Sequence, residues 1–282
     1  DPAYPFLKIA GTLKSADFTF GNLENPMSDR GKNQGSIYSF RARPNMVNGL
    51  VFAGFDAVSV ANNHIWDWGR EALEDTVTLL SANRIAPVGA GMNYAEANEP
   101  KIFTVGSPST SLGTNIATRV AVFAYTNLMP RSLEATASRA GLSQFEPELI
   151  KQRIGEERQK ADIIIVSLHW GEEYHSQANA FQRAFARELV DSGADLVIGH
   201  HPHVVEEVER YVGSAKSSEA LAKEETREGY IAYSLGNFVF DQGFSDDTKN
   251  GLMLKVTVRD RKIESVEKIP IHINDTFQPE IQ

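Results

Sequence analysis

The 282 residues include seven histidines, and four of them fall where strand-like runs end: His64, His169, His201 and His203. Neutral imidazole ligates zinc, manganese, iron and similar ions. His201-Pro202-His203 is the sharpest pattern, because a proline-held turn lets two rings reach one centre. His200 points the opposite way if that segment is extended, so it is expected behind the ligands or as support for the fold. Asn62-Asn63-His64 sets a neutral, hard carboxamide oxygen beside a histidine that can donate a proton when it is not on a metal. Glu24, ahead of Pro26 and sharing a strand-like run with Asp17, is a carboxylate able to bridge two ions. Asn237 follows Leu235-Gly236 at the end of another such run.

Each group also has an ordinary reading. Asn63 and Asp67 fit a capping turn before the helix that opens near Arg70. Asn237 beside Gly236 fits a turn. Trp66, Trp68, Trp170, Tyr174, Phe238 and Phe240 either wall a cleft and lower its dielectric or pack the core. His175 and His272 stand in polar settings and read as surface.

The elements that must carry these groups follow from periodicity. Helices are expected over 6–16, 44–53, 70–82, 146–160 and 177–192. The last is marked by Phe181, Phe185 and Leu189 and closed by Gly193. Strands are expected over 17–23, 55–60, 85–88, 101–105, 119–125, 162–168, 195–198, 204–211 and 230–235. Two late strands, 252–258 and 263–269, turn across Asp260-Arg261. Ile163-Ile164-Ile165-Val166 is a continuous apolar run, typical of a strand covered on both faces. Residues 106–118 read as a long hairpin loop or a strand pair, and 213–228 as an exposed excursion. Alternating strands and helices followed by strands give an α/β protein with mixed sheets, not a barrel of eight even units. In open α/β sheets the crevice beyond the carboxyl ends of the strands binds ligands, so strand-end histidines point to one site.

Composition narrows the chemistry. Apolar residues make up 41% and the net charge is −9, which supports a folded core and disfavours a broad nucleic-acid-binding face. There are no cysteines, so disulfides, thiolate metal sites and cysteine nucleophiles are excluded. No apolar run approaches the roughly 18–20 residues a bilayer needs. The sequence has no Walker loop, no dinucleotide fingerprint, no Gly-x-Ser-x-Gly elbow and no His-Glu-x-x-His helix.

Taken together, the motifs resemble a known family. These are Asn22-Leu23-Glu24; Ala61-Asn62-Asn63-His64 with Asp67 and Gly69; Gly89-Ala90-Gly91; His169-Trp170-Gly171 with Glu173-Tyr174; Gly193-Ala194-Asp195; His201-Pro202-His203-Val204; and Tyr233-Ser234-Leu235-Gly236-Asn237-Phe238. In order and spacing they are similar to the capsule-synthesis CapA, or poly-γ-glutamate biosynthesis (PgsA-like), proteins of the calcineurin-like metallophosphoesterase superfamily. The resemblance runs from about residue 6 to residue 243. It implies a four-layer α/β/β/α sandwich forming a single domain over 1–282, with the late strands 251–270 included. It also implies two divalent metal ions (manganese, zinc, iron or similar) held by Glu24, Asn63, His169, His201 and His203. His64 would be the catalytic acid off the metal and Asp67 its orienting partner. Asn22, Asn62, Trp170, Glu173, His200 and Asn237 would lie behind the ligands or against substrate. The superfamily's first-strand Gly-Asp motif has no counterpart before Phe6. Its Asp either lies upstream of Asp1 or the first metal position is weakened.

The activity implied by the resemblance is hydrolysis of a phosphoester, or of an amide in a glutamyl polymer, within poly-γ-glutamate capsule biosynthesis. The alternative is a non-catalytic polymer-binding or assembly component of the export or anchoring machinery. The family also implies an extracytoplasmic bacterial protein, anchored through a segment absent here, with capsule-synthesis membrane proteins as partners and no nucleic acid. The net charge opposes a polyanion over a wide surface, so the metals and local bases such as Arg41, Arg43 and Arg70 must supply attraction. A third reading is a plain α/β protein whose histidines hold turns.

Overall fold

The computed structural model describes residues 1–106, 117–214 and 226–282. Most of the expected 106–118 connection and 213–228 excursion lies outside them. The chain divides into two compact units, each assembled from separate stretches of sequence. Unit 1 comprises Asp1–Lys101, Phe123–Phe145 and Ile273–Glu280, and unit 2 comprises Ile102–Val122, Glu146–His272 and Ile281–Gln282. The α/β class expected from the sequence is the class the chain adopts.

Unit 1 contains a parallel sheet in the order Phe20–Asn22, Ala57–Ser59, Ala86–Val88. Parallel neighbours need crossover connections, and helices Val47–Ala53 and Gly69–Ala82 supply them. The central strand is buried along its length. Helix Gly69–Ala82 buries Ala72, Leu73, Thr76, Val77 and Leu80, the one-sided stripe its periodicity predicts. Asp75, turned away from that stripe, is held by Arg30 and Ser28. Helix Val47–Ala53 ends as expected at Gly54, whose φ of +82° suits a residue without a Cβ.

Unit 2 holds the larger sheet. Its order is Val208–Ser214, Thr226–Ala232, Leu196–His200, Ile163–His169, Thr118–Thr126 and Lys101–Val105. Strand Thr118–Thr126 begins in this unit. Ile163–His169 and Leu196–His200 are parallel neighbours, and His169 is register-paired with His200. Both strands are almost wholly buried, which is why they read as unbroken apolar runs. Helix Ala180–Ser192 connects them. It opens on a capping box in which Asn179 accepts from the Gln182 N–H and Gln182 accepts from the Asn179 N–H. Asp195 ties the start of the strands together. It accepts from the Ile164 N–H at 2.7 Å, from Arg158 at 2.6 Å and from Arg227 at 2.9 Å. Gly199 is required by close approach: a Cβ there would lie 1.7 Å from the Tyr233 carbonyl oxygen and 2.6 Å from Trp170 Nε1.

Several expected boundaries move. The first helix shrinks to Ala10–Leu13 after a short 3-10 turn at Tyr4–Phe6, since Gly11, Thr12 and Ser15 weaken helical continuation. The first strand starts at Phe20, so Asp17 is exposed and outside it. The Asn179 cap moves the start of its helix from 177 to Ala180, and Phe181 is exposed although Phe185 and Leu189 are buried. The strand expected from 204 begins at Val208, after a segment bent by the positive φ of His203. The late hairpin is longer, Asn250–Arg259 with Lys262–Ile273, and turns with positive φ at both Asp260 and Arg261.

Unit 2 also buries an acid outside any expected site. Glu206 is 2% exposed and accepts from Gln182 Nε2 at 2.9 Å, and its Oε1 has no partner among the described residues. Burial pushes its carboxyl up to about 7, against the smaller opposing effects of Gln182 and Arg183. Its folded pKa is raised, so this contribution to stability is complete below the unfolded value near 4.5 and lost as pH rises through about 7. The shift corresponds to about 3 kcal/mol. Glu206→Gln is therefore expected to melt with the parent near pH 4.5 and several degrees above it at pH 8. Thermal unfolding followed across that range checks this, and a constant difference at all pH values would refute it.

Candidate metal centre and general acid

In unit 1 the strand tip and the following turn are stitched by amides. Asn62 is fully buried. Its Nδ2 donates to the Leu23 carbonyl at 2.8 Å and to Asn22 Oδ1 at 3.2 Å, while its Oδ1 accepts the Ile65 N–H at 2.9 Å. Asn22 Nδ2 in turn donates to Glu24 Oε2 at 2.9 Å. Asn62 thus performs the turn-capping role that was open for Asn63, whose side chain caps nothing at the short helix His64–Trp66.

His64 is buried to 6% exposure and its Nδ1 lies 2.8 Å from Asp67 Oδ2. The same oxygen accepts the Phe40 N–H at 2.7 Å. A carboxylate that accepts from both sides makes His64 Nδ1 the donor, so Nε2 carries the chemistry. The Phe40 ring covers the imidazole at 4.2 Å between centroids. Arg41 lies over Trp68 and Arg70 over Trp66, at 4.2 and 4.7 Å from the ring centroids. Burial lowers the Arg70 pKa, with Arg139 adding to the effect. Arg43 is exposed.

In unit 2 the register pairing of His169 with His200 places two strand ends side by side, and the chain after each one turns. The His169 and His201 rings lie 5.1 Å apart and the His201 and His203 rings 6.1 Å apart. His201 and His203 have φ of +101° and +60°, a left-handed region that disfavours any residue with a Cβ. His203 Nδ1 lies 2.9 Å from Asn237 Oδ1. Asn237 Nδ2 donates to the Thr248 carbonyl at 2.9 Å and to Gln242 Oε1 at 3.2 Å. The amide orientation is thereby fixed, His203 Nδ1 must donate, and Nε2 presents its lone pair. A ligating histidine held this way is the usual arrangement at metal sites. Tyr174 and Phe240 stack on the His203 ring at 6.0 and 5.4 Å. Glu173, His201 and His203 bring potential ligand atoms to within 4.8 Å of one another. Two imidazoles and a carboxylate suit zinc, manganese or iron.

Unit 1 therefore gathers Asn22, Glu24 and Asn62, with His64 and Asp67 as a bonded pair. Unit 2 gathers His169, His201, His203, Glu173 and Asn237. His200 is buried at the strand end. Trp170 is a core group: it is 1% exposed and its Nε1 donates to the Tyr233 carbonyl at 3.0 Å. His272 is half-buried against Asn250, not fully on the surface. The sequence reading missed Phe40, Gln242 and Thr248. Phe40 acts through its backbone N–H as well as its ring, and Thr248 through its backbone carbonyl; main-chain groups carry no residue-type signal, and Gln242 is an ordinary loop residue.

The family model described as bacterial capsule synthesis protein PGA_cap matches residues 1–242. The chain belongs to this family. The PGA_cap chain is 29% identical over 280 residues to the capsule biosynthesis protein CapA of Bacillus anthracis, covering 96% of this chain and 62% of that protein. It is 30% identical over 272 residues to the PGA biosynthesis protein CapA of Bacillus subtilis (strain 168), covering 96% and 65%. The chain thus spans a little under two thirds of the length of these relatives. Its fold is similar to that of a hypothetical protein from Thermus thermophilus, at a TM-score of 0.55 and 14% identity, covering 95% of this chain and 93% of the other. Among the described residues no helix is long and apolar enough to cross a membrane.

The tautomers deduced for the PGA_cap chain are directly observable. Long-range 1H–15N spectra of the metal-free protein at pH 8 are expected to show His203 protonated at Nδ1. In Asn237→Leu that preference should be lost. An Nε2-protonated His203 in the parent would contradict the deduced hydrogen bond.

Proposed function

We propose that this PGA_cap chain is a metal-dependent hydrolase of poly-γ-glutamate capsule biosynthesis, phosphoesterase-like in its chemistry. The supporting observation is that His64 and His203 are each locked through Nδ1, so that both direct Nε2 toward chemistry. His169, His201 and His203 are assigned as metal ligands. Glu24 and Asn63 are carried as further candidate ligands. Bound divalent cations would supply Lewis acidity and lower the pKa of nearby water.

The remaining steps belong to side chains. Water oxygen bonds to phosphorus as the bond to the leaving oxygen breaks; His64 Nε2 delivers the proton that oxygen needs, the attacking water gives up one proton to solvent, and His64 regains its own from solvent. Asp67 stabilises the imidazolium before transfer and holds the ring in the donating tautomer. Arg41 and Arg70 provide fixed positive charge for an anionic substrate. An amide carbon in a glutamyl polymer can replace phosphorus, with nitrogen as the protonated leaving atom. The relatives' names place them in capsule and PGA biosynthesis, and the proposal extends that setting to this chain, with an extracytoplasmic location and membrane-bound partners.

Manganese added to metal-stripped full-length protein should restore cleavage of phosphodiesters, phosphomonoesters or glutamyl amides. His64→Asn should slow an alkyl leaving group by roughly 10²–10⁴ but spare p-nitrophenolate, which leaves without a proton. Absence of hydrolysis with every divalent ion and substrate class, together with polyglutamate binding that survives alanine at His201 and His203, would replace the enzyme reading with a non-catalytic assembly role.

A further inference from the structure

Glu173 is exposed, lies four residues beyond His169 and follows the positive-φ turn at Gly171. The next residue, Tyr174, has a φ of +65° although it is not glycine, and its N–H donates to the Pro202 carbonyl at 2.8 Å. This backbone bond pins the 171–174 turn against the His201-Pro202-His203 turn. Two strained turns are thus fastened face to face, and what they bring together is one carboxylate and two imidazoles within 4.8 Å. Ligands about 2.0–2.2 Å from a metal stand roughly 3–4 Å apart. The exposed Glu173 side chain can close the remaining gap by changing rotamer. The stack of Tyr174 and Phe240 on His203 limits rotation of that ring, and Asn237 fixes which nitrogen it presents.

We infer that Glu173 is a direct ligand, and that Glu173, His201 and His203 form a divalent-cation site contained wholly within unit 2. This rests on the hydrolase reading for the choice of His201 and His203 as ligands. It moves Glu173 from a supporting position to the metal. A carboxylate beside two neutral imidazoles lowers the net charge of the bound cation from +2 to +1. It also gives the site a ligand that is easily displaced, because an exposed glutamate can swing away when an anionic group arrives.

The test uses cobalt(II) as the probe and its visible d–d spectrum as the readout, so no catalytic activity is needed. Metal-stripped parent protein, Glu173→Gln, Glu173→Asp and Glu172→Gln are titrated in parallel. Glu172 is the control because it is equally exposed and pairs with His175. Glu173→Gln is expected to weaken cobalt binding at least tenfold and to change the band pattern, with Glu173→Asp recovering part of both. Glu172→Gln should match the parent. The inference is overturned if Glu173→Gln titrates like the parent, if Glu172→Gln weakens binding equally, or if the parent binds no cobalt. Unchanged cobalt binding in a hydrolytically active Glu173→Gln would sink this assignment and leave the hydrolase reading standing. Weakened cobalt binding in a protein that hydrolyses nothing would do the reverse.

Discussion

The decisive constraint is a pair of hydrogen bonds that each fix one imidazole nitrogen. Asp67 holds His64, and Asn237 holds His203. In water a histidine exchanges tautomers and rotates freely, so an unheld ring loses orientational entropy whenever it is asked to ligate or to transfer a proton. Here that loss is met during folding. Each acceptor is itself held by backbone: the Phe40 N–H for Asp67 and the Thr248 carbonyl for Asn237. A backbone partner moves only if an element moves. The orientation of each ring is therefore as rigid as the fold around it, and side-chain chemistry inherits the precision of the main chain.

The same dependence runs one layer deeper. The histidine turns of unit 2 sit at the carboxyl ends of two parallel strands, and their register equates His169 with His200. A one-residue slip would turn every side chain to the opposite face. Several fixed points prevent it. Asp195 fastens the start of the strands, Gly199 admits the Tyr233 carbonyl where no Cβ fits, and Trp170 hydrogen-bonds that same carbonyl. Left-handed backbone at His201 and His203 costs of order 1–3 kcal/mol at each residue. That strain persists because the surrounding bonds determine the turn more strongly than local preference does, the condition under which strained residues collect at functional sites.

How much of this was legible in the sequence depends on which physical signal each feature leaves. The apolar run around Ile164 and the stripe Leu73, Val77, Leu80 follow directly from burial periodicity, and both elements stand where expected. The motif residues ending the runs were legible because metal-capable side chains are unusual at several strand tips at once. Boundaries were harder: Asn179 caps its helix through a pattern visible in Asn179-x-x-Gln182, yet the apolar spacing drew the start three residues early. Asp17 looked like a partner for Glu24 because a short strand was read as a long one. What stayed hidden was pairing through the main chain. No residue type announces that the Phe40 N–H meets Asp67 or that the Tyr174 N–H meets Pro202. Glu173 stands in a motif visible in the sequence, but its approach to His201 and His203 is seen only with that second bond.

Charge sets the remaining constraint on any anionic substrate. The chain carries −9 overall, but at physiological salt the field of distant surface charges is screened beyond about 8 Å. Global repulsion therefore slows approach and does little to decide binding once contact is made. What decides it is the local balance of charge at the point of contact. Arg41 and Arg70 each lie over a tryptophan face, which restrains the guanidinium, and Arg41 Nε also donates to the Ser28 carbonyl. Arg70 has already lost part of its hydration, as its lowered pKa indicates. An arginine that is partly desolvated and laterally fixed gives up less water and less side-chain freedom when it meets a phosphate or carboxylate. Under the proposed function, an anionic substrate would be held by such arginines without the whole surface acting as a general polyanion receptor.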